Sequence, residues 1–258
     1  MTELLTHLES LRSAGHKLLV PYLMGGFPQA DAYPGALRAV AEHADAVEVG
    51  LPYSDPLMDG PVIASAGERV IRDGLGPVRV LELTAEIETR VPRVVMTYYN
   101  PIHRMGEGEF CRRAAKAGWS GLIVPDLPLE ESSSLRSVAA RNGLAWVGLV
   151  APTSSPERIA AVAEVSTGFV YAVSTLGVTG TRDALAASAR GVVAACRAAT
   201  DLPVLLGIGV SNAEQARDAA TTADGVVIGS AVVRTVLEEG AAAAGDFLAG
   251  VRRGLDTP

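Results

Sequence analysis

Two carboxylates in the segment VEVGLPYSDPLMDGP, residues 47–61, are of a type that transfers protons in active sites. Glu48 belongs to an apolar run and alternates with small residues, so we expect its side chain to face a covered interior. Burial raises the pKa of a carboxyl group, which suits a group that gives and accepts a proton near neutral pH. A solvated glutamate at the rim of a strand is an equally good interpretation, because Glu is usually exposed.

The two aspartates of this segment have simpler interpretations. Asp59 lies in an Asp-Gly pair, and such pairs are frequent in turns, so the residue types alone favour a turn-forming role. Asp55 precedes a proline and is typical of a turn or a local cap. Pro52, Pro56 and Pro61 restrict the loop, and they would hold any side chain on it in a fixed place.

Glycine-containing segments late in the chain favour a phosphate site over ordinary tight turns. Glycine lets the backbone approach a ligand closely, and the amino-terminal end of a helix offers free N–H groups and a partial positive charge. Backbone amides supply the donors, so the site needs no Lys or Arg. Gly229 and Ser230 open a short predicted helix at 230–237. The other candidates are Gly177, Gly180, Gly207 and Gly209.

The hydrophobic pattern predicts the elements that bring these residues together. Eight apolar runs of strand length recur without clean alternation, as expected for parallel strands covered on both faces. Ala-rich segments with helical periodicity separate them, including one at 76–90. A leading helix carries Leu4 and Leu8 on one side. The runs cover 17–24, 45–50, 93–99, 120–125, 145–150, 167–173, 203–209 and 224–229.

This alternation predicts an α/β fold, a single (β/α)8 TIM barrel domain over residues 1–258. It would have an extra N-terminal helix and a short extra phosphate-binding helix after strand eight, with the active site at the carboxyl ends of the strands. The alternative is a doubly wound open sheet. Its dinucleotide-binding form carries a GxGxxG motif after the first strand, and the sequence MGGFPQ at 24–29 lacks that spacing.

Composition excludes several classes of protein. The 258 residues include 48% hydrophobic residues and carry a net charge of −7, which argues against disorder and against binding to nucleic acid. The two cysteines, Cys111 and Cys196, are isolated, so we expect a reduced, cytoplasmic chain with no metal site. No apolar run is long enough for a membrane span. The residues thus predict proton chemistry on a small phosphorylated substrate, by an isomerase, a lyase or a decarboxylase.

The segment at 47–61 resembles the signature of the tryptophan synthase α chain family, E-L-G-x-P-[FY]-S-D-P-x-A-D-G-P. Further segments match that family in the same order, namely MTYYNP (96–101), GLIVPDLPLEE (121–131), APTSSPERI (151–159), YAVSTLGVTGTR (171–182) and GIGVSN (207–212). The resemblance covers nearly the whole chain. It implies a retro-aldol cleavage of indole-3-glycerol phosphate to indole and D-glyceraldehyde 3-phosphate.

The resemblance also assigns roles to residues. Glu48 and Asp59 match the two catalytic carboxylates, which changes the interpretation of Asp59 from a turn residue to a catalytic one. Gly180, Gly209, Gly229 and Ser230 match phosphate contacts. Residues that match the substrate pocket are Tyr22, Met96, Leu127, Tyr171 and Thr179.

A partner is implied by the same resemblance. Family members pair with a β chain in an α2β2 complex, and the β chain carries pyridoxal phosphate, so no cofactor is expected in this chain. Asp55 and the segments 52–58 and 97–105 match the surface that faces the partner. Phe27 stands where the family often has an acid. A stand-alone lyase and a mainly regulatory binding subunit are the alternatives that the sequence leaves open.

Overall fold

The fold is built on parallel strands, as the continuous apolar runs predict. The computed structural model describes residues 1–173, 182–207 and 209–257, without the side chains of 182–188. The strand segments in these ranges form one sheet in the order β5-β4-β3-β2-β1-β9-β8-β7-β6. Their bounds are β1 Leu18–Met24, β2 Val47–Gly50, β3 Arg93–Met96, β4 Gly121–Ile123, β5 Ala145–Trp146, β6 Gly148–Val150, β7 Val170–Val173, β8 Val204–Gly207 and β9 Gly225–Ile228.

The sheet closes through the fifth predicted strand. Its two end segments, β5 and β6, are consecutive in the chain and separated only by Val147. β5 pairs with β4, while β6 pairs with β7. The N–H of Val147 still donates to the carbonyl of Leu122 in β4. One run of chain therefore passes from one neighbour to the other, and the predicted TIM barrel is confirmed with its fifth strand in two segments.

Helices connect the strands and cover the outside of the barrel. None of the helices in the described ranges combines the length and the hydropathy that a membrane span requires. The bounds are α1 Glu3–Ser13, α2 Tyr33–Ala41, α3 Pro61–Arg72, α4 Pro77–Ala85, α5 Tyr99–Met105, α6 Glu107–Lys116, α7 Ser133–Arg141, α8 Pro156–Val165, α9 Arg182–Ala199, α10 Ala213–Ala220, α11 Ser230–Glu238 and α12 Ala241–Leu255, with a 3-10 turn at Leu129–Glu131.

The leading helix α1 closes the amino-terminal end of the barrel. Leu4 and Leu8 are fully buried with the residues that fill the barrel interior. A Cβ on Gly121 would lie 2.9 Å from Leu4 Cδ2, so the helix packs tightly against the strand ends. Burying each leucine contributes about 2 kcal/mol. The carboxyl ends of the strands are thus left for chemistry, where barrels place their active sites.

The connection between β2 and β3 differs from the prediction. We expected one helix here, at 76–90, and α4 forms within that stretch, but a second helix that we did not predict, α3, precedes it. Pro61 is the first residue of α3, a position at which proline needs no N–H donor and has a suitable φ. The apolar face of α3 buries Ala66 and Val70. Because α3 begins two residues after Asp59, it anchors one end of the loop that carries this carboxylate.

Arg93, at the start of β3, ties two helix ends to the sheet. Its guanidinium donates to the carbonyls of Thr84 at 2.6 Å and Ile87 at 2.9 Å, near the end of α4. It also donates to the carbonyl of Ala117 at 2.9 Å, directly after α6. Helix carboxyl ends carry partial negative charge and unpaired carbonyls. These groups therefore compensate a charge that is almost completely buried.

Replacing Arg93 by Met is expected to lower the free energy of unfolding by about 2 to 4 kcal/mol, because buried carbonyls lose a charged donor. Arg72→Met is the matched control, since the Arg72 side chain is 70% exposed and pairs with Glu68 on the surface. It should cost about 0.5 kcal/mol. Urea unfolding of both variants measures the difference. Equal losses of unfolding free energy in the two variants would show that the hydrogen bonds of Arg93 stabilise the fold no more than an exposed ion pair does.

Candidate active site

Glu48 lies inside the barrel near its carboxyl end. It is the second residue of β2, in register with Tyr22 on β1 and Val94 on β3, and only 2% of it is exposed. The interpretation as a solvated rim residue is therefore wrong. Its Oε2 is buried and accepts no hydrogen bond among the described residues. Burial, with a smaller contribution from the negative charge of Asp59, raises the pKa of Glu48 to about 8.

Asp59 lies at the same end, in the loop between β2 and α3. Its N–H donates to the carbonyl of Pro56, so the residue also forms the turn that its Asp-Gly pair predicts. The side chain is partly buried, and Oδ1 accepts a hydrogen bond from the Tyr98 hydroxyl at 3.1 Å. Burial raises the pKa of Asp59, while the hydrogen bond from Tyr98 opposes that rise. Glu48 is thus enclosed, whereas Asp59 is held at the mouth of the barrel, which is the opening at the carboxyl ends of the strands.

Two tyrosines line the space around these carboxylates. The pKa of Tyr22 is raised chiefly by burial, and then by the charges of Asp59 and Glu48. Burial and the charge of Glu48 likewise raise the pKa of Tyr171. These mutual effects show that the sheet brings Tyr22, Glu48, Asp59 and Tyr171 together, although they are far apart in the sequence.

Glycines on the neighbouring strands make room for these rings. A Cβ on Gly50 would lie 1.9 Å from the Tyr22 hydroxyl oxygen, and one on Gly207 would lie 2.6 Å from the Tyr171 ring. No side chain of another residue type fits at either point without moving a ring. The glycines therefore determine where the two rings stand at the mouth.

One of the predicted phosphate-site glycines, Gly229, lies beside Tyr22. A Cβ on Gly229 would lie 3.7 Å from Tyr22 Cβ and 3.3 Å from Ile63 of α3. Ser230 is the first residue of α11, and both Gly229 and Ser230 are partly buried. Gly209 is exposed and has φ +50°, a left-handed conformation that favours glycine. Gly180 and Thr179 lie outside the described residues.

The sheet register sets the spacing between this corner and the buried carboxylate. Pro21 of β1 pairs with Ile228 of β9, so Gly229 follows beside Tyr22. Tyr22 in turn pairs with Glu48 of β2. Adjacent strands are about 4.8 Å apart, which places the start of α11 roughly 10 Å from the Glu48 backbone. That span suits a small molecule with a phosphate at one end and a reacting carbon at the other.

The two other predicted pocket residues that the structure describes lie on β3 and after β4. Met96, the last residue of β3, pairs with Gly50 and is partly buried. Leu127 follows β4 and is partly buried in a cleft of about 270 Å³ that Leu149 and Trp146 also line.

Sequence reasoning did not single out Tyr98. The available signal was its place near the end of the apolar run at 93–99, where the carboxyl end of a barrel strand is expected.

Comparisons with known proteins show the family of this chain. The family model for the tryptophan synthase alpha chain matches residues 8–248. The chain belongs to the tryptophan synthase alpha chain family. A tryptophan synthase alpha chain from Streptomyces avermitilis is 46% identical over 241 residues, which cover 92% of this chain and 87% of the relative. One from Methanocaldococcus jannaschii is 38% identical over 231 residues, covering 88% and 82%.

Solved structures of the family share the fold. A tryptophan synthase structure from Mycobacterium tuberculosis aligns with a TM-score of 0.92 at 40% identity, covering 100% of this chain and 99% of that one. The subunit alpha from Legionella pneumophila aligns with a TM-score of 0.91 at 30% identity, covering 99% of both chains. Members of the tryptophan synthase alpha chain family are lyases that cleave indole-3-glycerol phosphate and supply indole for tryptophan synthesis.

Proposed function

We propose that Glu48 and Asp59 are the catalytic residues of this cleavage. The observation that carries the proposal is a buried carboxyl group, whose Oε2 has no hydrogen-bond partner within the described part of the chain, close to a second carboxylate at the same end of the barrel. A pKa of about 8 keeps Glu48 largely protonated at neutral pH. A carboxyl group that starts protonated acts first as an acid and then as a base.

Glu48 acts on both sides of the bond that breaks. It donates its proton to the indole carbon that bears the glycerol phosphate chain, which places positive charge on the ring nitrogen. The resulting carboxylate then takes the proton of the side-chain hydroxyl next to that carbon. The carbon–carbon bond breaks, its electrons restore the aromatic indole, and the hydroxyl carbon becomes the aldehyde. Glu48 is protonated again at the end.

Asp59 stabilises the charge that develops in the middle of this sequence. Its carboxylate accepts the indole N–H, and this contact strengthens as positive charge builds on the ring nitrogen. The interaction is stronger away from bulk water, and Asp59 is partly buried. Asp59 must be ionised for this role, so the opposing effect of the Tyr98 hydrogen bond on its pKa favours the reaction.

The rest of the mouth holds the substrate in register. The phosphate is bound by backbone and hydroxyl donors of Gly180, Gly209, Gly229 and Ser230, and the amino-terminal end of α11 adds partial positive charge. The indole and glycerol parts contact Tyr22, Met96, Leu127, Tyr171 and Thr179. Holding both ends fixes the reacting carbon next to Glu48, which lowers the entropic part of the barrier.

Ser230→Ala is expected to raise KM about five- to ten-fold with kcat nearly unchanged, because it removes one hydrogen bond to the phosphate in the ground state and the transition state alike. Ser133→Ala is the matched control, since Ser133 is the exposed first residue of α7. Steady-state indole release measures both variants. A rise in KM for Ser133→Ala of the same size, or none for Ser230→Ala, would contradict the phosphate site.

We also propose that this chain forms one domain over 1–258 and works in the cytoplasm in an α2β2 complex with a β chain that holds pyridoxal phosphate. An exposed surface supports the interface. Asp55 is exposed, and so are the large apolar side chains of Leu57, at 88%, and Met58, at 51%. Phe27, in contrast, is 1% exposed, so its ring adds no apolar area to this surface.

The direct test is indole release from indole-3-glycerol phosphate by the pure chain, with and without a tryptophan synthase β chain. Release that rises when the β chain is added supports the complex. Release that stays the same favours a stand-alone lyase, and a mainly regulatory subunit would release indole at a negligible rate. No indole under either condition would reject the catalytic proposal.

A further inference from the structure

Tyr98 connects the loop of Asp59 to the barrel. It lies just beyond the end of β3, after Thr97, and is 4% exposed. Its hydroxyl accepts the N–H of Met58 at 2.9 Å and donates to Asp59 Oδ1 at 3.1 Å. Both partners belong to the loop that precedes α3, whereas Tyr98 lies between β3 and α5. One hydroxyl therefore fixes the backbone and the carboxylate of this loop at the same time.

The two hydrogen bonds determine the direction of the Tyr98 proton. Since an oxygen lone pair receives the Met58 N–H, the single O–H of Tyr98 points to Asp59. Among the described residues, the other carboxylate oxygen, Oδ2, accepts no hydrogen bond. The arrangement leaves that oxygen available to an N–H donor in the mouth.

The ring of Tyr98 is itself held in place. It packs on the ring of Tyr53, with centroids 5.1 Å apart and planes at 31°. The Tyr53 hydroxyl accepts a hydrogen bond from Asn100 Nδ2 at 3.0 Å. On the other side, the N–H of Tyr99 donates to Asp126 at 2.8 Å. Because the ring is held in place, the Tyr98 hydroxyl approaches Asp59 from a fixed direction.

We propose that Tyr98 is a positioning residue, whose hydroxyl orients the carboxylate of Asp59 so that Oδ2 faces the indole nitrogen of the substrate. This rests on the proposed role of Asp59. Tyr98 acts through Asp59 and transfers no proton itself. Because the indole charge develops only as the reaction proceeds, a misoriented Asp59 weakens transition-state stabilisation more than substrate binding.

The test is a double-mutant cycle on the full chain, with kcat and KM for indole release from indole-3-glycerol phosphate. Tyr98→Phe keeps the ring and removes only the hydroxyl. We expect kcat to fall about ten-fold, as for the loss of one hydrogen bond to a charged group, and KM to change less than about two-fold. In an Asp59→Asn background, Tyr98→Phe should change kcat by less than about two-fold, because its partner carboxylate is already gone.

Tyr33→Phe is the matched control. Tyr33 is fully buried, and its hydroxyl forms a hydrogen bond with Thr84 at 2.9 Å, but it belongs to α2. Its removal costs stability without changing kcat. Circular dichroism verifies that each variant folds.

The outcomes separate the two proposals. If Asp59→Asn lowers kcat while Tyr98→Phe has no effect, the positioning role of Tyr98 is wrong and the role of Asp59 stands. If Tyr98→Phe lowers kcat by the same factor in both backgrounds, or if it lowers kcat no more than Tyr33→Phe does, its effect is general and the positioning role is rejected. If Asp59→Asn retains normal activity, the role of Asp59 fails and the role of Tyr98 fails with it.

Discussion

Replacing Glu48 by Gln is expected to lower kcat for indole release by at least about 100-fold, with a much smaller effect on KM. The variant keeps the size of the side chain and its place between Tyr22 and Val94 in the register. It loses the ability to give a proton to the indole carbon and to take one from the hydroxyl. Both losses concern the transition state, so the effect belongs to kcat.

Glu68→Gln is the matched control, because Glu68 lies on α3 with 71% of its side chain exposed. It should leave kcat within about two-fold of the unchanged chain, as expected for a surface substitution. Normal turnover by Glu48→Gln would remove Glu48 from the mechanism.

The substitution Glu48→Gln is also expected to have a pH-dependent effect on the free energy of unfolding. The pKa of Glu48 rises from an ordinary value of 4.5 to about 8 in the folded chain, chiefly through burial. A group with a raised folded pKa contributes stability that is fully present below the unfolded pKa and is lost as pH rises through the folded one. The unchanged chain therefore loses stability between about pH 4.5 and pH 8, while the Gln side chain does not titrate. Glu48→Gln should gain stability relative to it across this window.

Urea unfolding at pH 5 and at pH 9 measures this difference. The expected signature is loss of activity together with relative stabilisation at the higher pH. Such a combination is typical of a catalytic group that the fold holds at a cost in stability. A relative stability that does not change with pH would show that Glu48 is not buried with a raised pKa.

Replacing Asp59 by Asn is expected to lower kcat by about 100-fold or more, since the neutral amide does not stabilise the positive charge on the indole nitrogen. Asn can still accept one hydrogen bond from Tyr98, so the loop should keep its place. The loss should again appear in kcat more than in KM, because the ring carries its charge only during the reaction.

Asp73→Asn is the control for this substitution, because Asp73 is the exposed residue that ends α3 at the other side of the same connection. Its turnover should be nearly unchanged. Stopped indole release with normal folding in Asp59→Asn, and normal release in Asp73→Asn, is the expected pair of results. Normal release by both variants would return Asp59 to the turn-forming role that its Asp-Gly pair suggests.

Much of this protein was predictable from local pattern. Strands buried on both faces need continuous apolar runs, and the eight runs correctly indicated the barrel. Alternation along the second run correctly predicted that the Glu48 side chain faces the barrel interior, because strand side chains alternate between faces. The residue types at 47–61 identified the family, since this signature is continuous in sequence. These features share one property, which is that neighbouring residues determine them.

Other features were decided only by the tertiary structure. Val147 divides the fifth strand because that strand must pair with β4 on one side and β7 on the other. The carboxylate of Asp59 accepts a hydrogen bond from a hydroxyl 39 residues away, beyond the end of another strand. The raised pKa of Glu48 depends on how completely the surrounding strands exclude water. Sequence determined which residues can do the chemistry, while barrel closure determined which of them meet, because contacts across the mouth join residues that no local pattern relates.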